Sequence, residues 1–162
     1  MAVTQQLARL SPGLFDACGR DTSTLLRLLA FDLIPRNRYL DLDWASHGLV
    51  LLARDCNAEH GDVVACALEG RIRPMNAGLP ADAVEIAPNG LDSSGVRATA
   101  AQLAAIEPTI LLAAWPRVSA QVERSAGRTD APLSYYRDHF QRLQAFYAGA
   151  ARDGDATIMW WD

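Results

Sequence analysis

The sequence predicts an α+β fold, in which a small mixed or antiparallel sheet is packed by several helices and a long amphipathic C-terminal helix is followed by a terminal strand. Apolar residues between positions 133 and 150 recur at alternating steps of three and four, which places them on one helical stripe. Residues 156–161 are β-prone. Capped segments rich in leucine or alanine favour further helices in the remainder of the chain.

Composition indicates one domain over residues 1–162, since domains usually hold roughly 100–200 residues. Hydrophobic residues make up 50% of the chain and charged residues 21%, which is typical of a globular protein. The formal net charge of −4 argues against a nucleic-acid partner, because clustered basic charge supplies most of that affinity.

The first elements are predicted from alternation and from capping residues. Residues 3–10 alternate loosely and predict a strand. Ser11-Pro12 is typical of a helix start, and that helix would end at Gly19. Asp21 then caps a second, leucine-rich helix that ends before Pro35.

Residues 44–53 are apolar almost all round, which favours a buried helix, with a strand as the competing interpretation. Asp43 is the predicted N-cap, because its carboxylate can accept from the free N–H groups of the first turn. Residues 55–62 predict a polar loop. The compact apolar run Val63–Leu68 predicts a central strand.

In the second half, residues 83–87 predict a short strand closed by Pro88-Asn89-Gly90. A helix is expected from the capping residues at 92–94 to Ile106. Another is expected from Thr109 to Trp115, where Pro116 should interrupt it before a shorter piece reaches about Arg124. The last helix ends at Gly154, and the terminal strand must pair into the sheet to bury its tryptophans.

Two segments resemble the YfbM-like family of small bacterial proteins, a domain of unknown function. Residues 38–49, RYLDLDWASHGL, are similar to that family's YLDLDKxWHGL segment. Residues 140–160 are similar to its closing helix, its Phe-Tyr pair, its glycine and its terminal strand. A third stretch lies between them, and its turn from Leu68 to Gly70 and its strand and helix from Ile86 to Leu103 fit the order expected for the family.

The sequence departs from the family pattern in three places. The tryptophan–histidine pair is split into Trp44 and His47, the N-terminal strand is more polar than expected, and the loop at residues 70–79 is unusual. The resemblance implies a compact α+β fold and a bacterial cytoplasmic setting. It implies no established activity and no catalytic residues.

One group of polar residues is the candidate binding cluster; its members are Arg38, Asp41, Asp43, Trp44 and His47. If Asp41 or Asp43 reached the imidazole of His47, the pair could act as an oriented general base. We favour a structural interpretation, in which Asp43 caps the helix, Arg38 pairs with Asp41, and His47 is a satisfied core residue beside Trp44.

Metal and cofactor sites are not predicted. Cys56, His60 and Cys66 are residue types that bind zinc, but a structural site usually needs four ligands in tight pairs, and Cys66 falls in a predicted strand. The sequence contains no Walker loop, dinucleotide fingerprint or His-Glu-x-x-His motif. We therefore expect no cofactor, and we assign no catalytic residue.

Two classes of function follow from these features. The first is a non-catalytic protein-binding module, of the immunity type or a regulatory adaptor. The second is a small hydrolase or transferase that uses His47 with Asp41 or Asp43. Three widely spaced cysteines, no secretory signal and no apolar run near the ~20 residues of a membrane span predict a cytoplasmic location without a membrane partner.

Overall fold

The computed structural model describes residues 4–80, 86–126 and 131–162. Within these ranges it has four strands in one antiparallel sheet and seven α-helices, which confirms the predicted α+β class. The strands are β1 (Gln5–Leu10), β2 (Tyr39–Asp41), β3 (Asn89–Leu91) and β4 (Ala156–Trp161), and their order across the sheet is β2-β1-β4-β3.

The terminal strand β4 lies in the interior of the sheet, between β1 and β3, as the burial of its tryptophans required. Its register with β1 places Leu7 opposite Met159 and Gln5 opposite Trp161. Since residues directly opposite one another in an antiparallel pair share a face, Gln5, Leu7, Met159 and Trp161 all point to one side of the sheet.

The helices are α1 (Pro12–Arg20), α2 (Thr22–Leu29), α3 (Ala45–Cys56), α4 (Ala58–Glu69), α5 (Ser93–Ala104), α6 (Pro108–Ala126) and α7 (Leu133–Asp153). Helices α1 and α2 pack on the sheet face that carries Ala8 and Ile158. The other five bury their apolar residues with Leu7 and Met159 on the opposite face. A 3-10 turn, Arg36–Arg38, leads into β2.

Helix α7 confirms the predicted amphipathic stripe. Tyr136, Phe140, Leu143 and Tyr147 are fully or almost fully buried along one face. The helix ends at Gly154, whose φ of 71° is left-handed and is most easily adopted by glycine.

The predicted strand Val63–Leu68 is wrong, because these residues form the second half of α4. The predicted polar loop at residues 55–62 is also wrong, because residues 55–56 end α3 and residues 58–62 begin α4. The side chain of Asn57 accepts from the N–H of Glu59 at 2.8 Å and so caps a helix at this point. An apolar run does not by itself distinguish a buried strand from a buried helix.

The predicted break at Pro116 is also wrong, since α6 continues through the proline. Proline removes one backbone donor inside a helix and crowds the preceding turn. The Nη1 atom of Arg117 donates to the carbonyl of Ala113 at 3.2 Å, one residue beyond Leu112, whose carbonyl loses its backbone donor at the proline.

Two other boundaries differ from prediction. Residues 81–85, which hold most of the strand predicted at 83–87, lie outside the described residues. Asn89 and Gly90, predicted to close that strand, belong to β3.

Asp43 is not the N-cap of α3; Trp44 occupies that position without a side-chain capping bond.

Among the described residues, no single helix is both long and apolar enough to cross a membrane. Helices α5 and α6 meet the length and hydropathy required of a membrane span only as a pair, over Ser93–Ala104 and Pro108–Arg124. The two are bent by 75° at the break between them.

Candidate functional site

A cleft of about 260 Å³ opens at the end of the sheet where β1 begins and β4 ends. The first turns of α3 and the C-terminal end of α4 form its sides, and Asn89 of β3 adds to its floor. The polar and aromatic residues that shape it are Gln5, Ser46, His47, Glu69, Arg73 and Trp161. Val50, Leu68 and Met159 supply apolar wall.

Gln5 is only 2% exposed, and its carboxamide has a fixed orientation. Its Nε2 donates to the carbonyl of Leu68, near the end of α4. Because a carbonyl can only accept, the atom that faces Leu68 must be the nitrogen of the Gln5 amide. The oxygen Oε1 is therefore at the other end. That oxygen is buried and has no hydrogen-bond partner among the described residues.

Ser46 lies in the first turn of α3 and is 3% exposed. Its hydroxyl oxygen is likewise buried without a partner in the described part of the chain. Both oxygens are buried, so neither is in contact with solvent in the cleft. Trp160 also borders the cleft, but its ring packs on the opposite sheet face against Phe31 and Tyr39.

His47 is exposed at the edge of the cleft. Its ring centroid lies 5.6 Å from that of Trp161, with an angle of 36° between the ring planes. The prediction that His47 is a core residue beside Trp44 is therefore wrong. The register between β1 and β4 brings Trp161 opposite Gln5 and next to the helix that carries His47.

An ion pair borders the other side of the cleft. Arg73 Nη2 lies 2.9 Å from Glu69 Oε2 and 3.3 Å from the carbonyl of Gly70. Both charged side chains are more than half exposed. Gly70 has a φ of 67°, and a Cβ there would lie 2.8 Å from the carbonyl of Gly90, so the chain turns closely against β3 at this point.

The two predicted acids do not reach the cleft. Asp43 accepts a hydrogen bond from the hydroxyl of Tyr135 at 3.0 Å, and Asp41 Oδ1 accepts from the backbone N–H of Asp43 at 2.7 Å. The Tyr135 hydroxyl also accepts from the N–H of Trp44 at 3.1 Å. Burial first, and then the adjacent Asp43 carboxylate, raise the pKa of Tyr135.

Arg38 is separated from the rest of the predicted cluster. It forms an ion pair with the buried carboxylate of Asp155, and its Nε donates to the carbonyl of Arg9 at 3.1 Å. The predicted pairing of Arg38 with Asp41 is wrong, because the arginine reaches across the sheet to the residue that precedes β4.

No protein-family model, curated protein or solved structure matches this chain. The resemblance to the YfbM-like family stays a prediction that depends on the quoted segments.

The cysteines of α3 and α4 have separate surroundings. Cys56 Sγ lies 3.1 Å from the carbonyl of Ile110, whereas Cys66 Sγ lies 3.8 Å from the Thr99 hydroxyl. Within the described ranges, no three His, Cys, Asp or Glu side chains are grouped so that they could hold a metal ion.

His47 was predicted from the sequence as a candidate site residue, but the residues that surround it were not. Gln5, Ser46, Glu69 and Trp161 come from four separate elements, so no local spacing connects them. One signal was present, since the N-terminal strand was more polar than expected. Both of its glutamines are buried, at 2% and 5% exposure, and one of them forms the cleft.

Proposed function

We propose that this chain is a non-catalytic protein-binding module, and that the cleft beside His47 receives one side chain of its partner. The cleft carries this proposal, because it is open to solvent, has an apolar wall at Leu68 and Met159, and adjoins exposed Ile86. A partner side chain that enters the cleft would remove this apolar wall from water, which favours binding.

The size of the cleft favours a side chain over a larger ligand. Pockets that hold drug-sized molecules or cofactors measure roughly 300–1,000 Å³. At about 260 Å³ the cleft is near the lower end of that range and has room for a single inserted side chain.

Exposed apolar residues next to the cleft extend the surface that a partner could contact. Ile86, which lines the cleft, is 50% exposed. Ile72 is 39% exposed, pairs with Gly90 and directly precedes Arg73 of the ion pair. An anchor pocket surrounded by further contacts is typical of protein interfaces, where a few buried groups carry most of the affinity.

We further propose that the chain is a YfbM-like protein of the bacterial cytoplasm, and that it is either an immunity-type protein or a regulatory adaptor. The quoted segments support the family, and the fold class supports it at a general level. The net charge of −4 suits a basic partner, because opposite charge speeds association and disfavours wrong partners.

The catalytic alternative, in which His47 works with Asp41 or Asp43, has less support. A general base needs its orienting acid within hydrogen-bond reach. Asp43 instead binds Tyr135, and Asp41 binds the backbone of the turn before α3.

Affinity capture from a bacterial lysate tests the proposal when the bait is compared with two variants of the cleft. His47→Ala removes an exposed ring from its edge, and Val50→Arg places a long charged side chain against its wall. Leu26→Arg is the matched control, because Leu26 is an exposed residue of α2 on the opposite sheet face.

We expect the wild-type chain and Leu26→Arg to retain the same protein, and both cleft variants to lose at least about tenfold of it. Thermal melting of each bait shows that it is folded. Equal capture by the cleft variants, or no captured protein with a folded wild-type bait, would refute the proposal.

A further inference from the structure

We infer that the side chain received by this cleft is an arginine of the partner, and that Arg73 holds the place of its guanidinium in the free protein. This inference rests on the proposed function, because it names the side chain that would be inserted. It follows from the contacts that join Trp161 to Glu69, from the charge at the end of α4 and from the ion pair at the border of the cleft.

The end of α4 lies directly against the floor of the cleft. A Cβ at Gly70 would lie 2.8 Å from Met159 Sδ, so the residue after Glu69 packs closely on Met159. Met159 and Trp161 are neighbours on one face of β4, which separates them by roughly 7 Å. Since Glu69, Met159 and Trp161 all line the cleft, its apolar stretch separates an aromatic end from an acidic end.

The acidic end of the cleft favours a cation. Helix α4 ends at Glu69, and the aligned peptide dipoles place partial negative charge at the C-terminal end of a helix. The side chain of Glu69 adds a full negative charge and is 56% exposed, so a ligand can reach it. The net charge of −4 over the chain attracts a basic partner in the same sense.

Arg73 shows how a guanidinium is held at this end of the cleft. Its Nη2 atom lies 2.9 Å from Glu69 Oε2 and 3.3 Å from the carbonyl of Gly70. Both side chains of the ion pair are more than half exposed, and exposed pairs contribute little to stability. A second guanidinium can therefore displace Arg73 at small cost. A carboxylate ligand would instead have to compete with Glu69 for Arg73 while facing the negative end of α4.

The apolar stretch of the cleft fits the rest of an arginine side chain. The methylene stem of arginine packs on apolar surface while the charged end stays at polar groups. In the cleft the stem would lie on Met159 and Trp161, with the guanidinium at Glu69. Arginine is also one of the residue types that most often carry the affinity of protein interfaces.

The experiment titrates three N-acetylated amino-acid amides into the full chain labelled with ¹⁵N and follows the amide chemical shifts. The arginine derivative carries the guanidinium, the citrulline derivative has the same shape without the charge, and the glutamate derivative carries the opposite charge.

Two pairs of variants accompany the titrations. Glu69→Gln removes the carboxylate at the cleft, and its matched control is Glu59→Gln, an exposed residue roughly 15 Å away along the same helix. Arg73→Gln removes the competing guanidinium. Its control is Arg71→Gln, because Arg71 is an exposed arginine of the same segment that lies outside the lining of the cleft. The spectrum of each variant shows that it is folded.

We expect the arginine derivative to bind in the millimolar range, with shifts at His47, Glu69 and the end of β4. The citrulline and glutamate derivatives should bind at least about fivefold more weakly, as the loss of one charge-assisted hydrogen bond predicts. Glu69→Gln should weaken the arginine derivative by a similar factor. Glu59→Gln should leave it within about twofold, because salt screens exposed charges at that distance.

Arg73→Gln should strengthen binding of the arginine derivative about fivefold, since a site that is free only about one-fifth of the time binds that much more weakly. Arg71→Gln should leave it within about twofold, because this change removes the same charge without freeing Glu69.

Equal binding of the arginine and citrulline derivatives, tighter binding of the glutamate derivative, or the same response to Arg73→Gln and Arg71→Gln would overturn the inference. If the arginine derivative does not bind, while His47→Ala still loses the captured protein, the inference fails and the proposed function stands. If it binds as expected but the cleft variants capture the partner normally, the protein-binding function fails and a guanidinium site for another ligand remains.

Discussion

The hydroxyl of Tyr135 in α7 donates to the carboxylate of Asp43 at 3.0 Å, and this bond joins the last helix to the turn before α3. The same hydroxyl accepts from the N–H of Trp44 at 3.1 Å. Asp43 has a φ of 50°, a left-handed conformation that aspartate adopts more readily than most residues. The Asp43 side chain therefore faces α7 and does not cap α3.

Replacing Tyr135 with phenylalanine should lower the free energy of unfolding by about 1–2 kcal/mol, because two hydrogen bonds at half-buried atoms are lost. Urea denaturation gives this value. Asp43→Asn and the double variant complete a mutant cycle. If the effects of the two single changes simply add, the bond contributes nothing to stability.

Packing along the stripe of α7 gives the second prediction. Phe140 and Leu143 are both 0% exposed, so truncating either to alanine should cost about 2–5 kcal/mol. Gln141→Ala lies on the exposed face of the same helix and should change stability by less than about 0.5 kcal/mol. A melting temperature unchanged by Phe140→Ala would show that the helix does not bury this face.

Two glycines should respond to alanine in opposite directions. A Cβ at Gly48 would lie 2.3 Å from Tyr136 Cε1 and 2.9 Å from Val122 Cγ1, so Gly48→Ala should destabilise the protein by about 1–3 kcal/mol. A Cβ at Gly13 meets nothing within 4 Å, so Gly13→Ala should stabilise α1 by up to about 1 kcal/mol. Chemical denaturation of both variants tests the pair, and the same sign for both would contradict it.

Alkaline pH should destabilise the protein. Burial, together with the carboxylate of Asp21, raises the pKa of Cys18 from 9.0 to about 11, and burial raises the pKa of Tyr147. A folded-state pKa above the unfolded value stabilises the fold below the unfolded pKa, and this contribution is lost as pH rises. For Cys18 the loss falls between about pH 9 and pH 11 and is on the order of 2 kcal/mol.

Unfolding free energies measured in urea from pH 7 to pH 11 test this dependence. Cys18→Ala should show a smaller fall between pH 9 and pH 11 than the wild-type chain, whatever its stability at pH 7. Parallel curves for the two proteins would mean that the thiol does not contribute to the alkaline transition.

The sequence predicted well those elements whose signal is local and periodic. Three such signals depend only on residues nearby in the chain. They are the apolar stripe of α7, the proline at the start of α1 and the carboxylate of Asp21, which caps α2. Asp21 accepts from the N–H groups of Ser23 and Thr24, as its position before the helix indicated.

The errors arose where distant contacts decide the structure. Val63 and Val64 are β-branched, yet they lie in α4 because that helix buries them against α3 and the rest of the core. The cleft was unpredictable for the same reason, since the pairing of Gln5 with Trp161 joins residues from opposite parts of the chain.

The place of β4 between β1 and β3 has a consequence for the order in which the protein is made. On the ribosome, β1 and β3 emerge long before residues 156–161, and neither has its central neighbour until then. The apolar faces of the intervening helices lack their sheet during that interval. Contacts between such distant parts of a chain form slowly, so the sheet can be completed only after β4 has emerged.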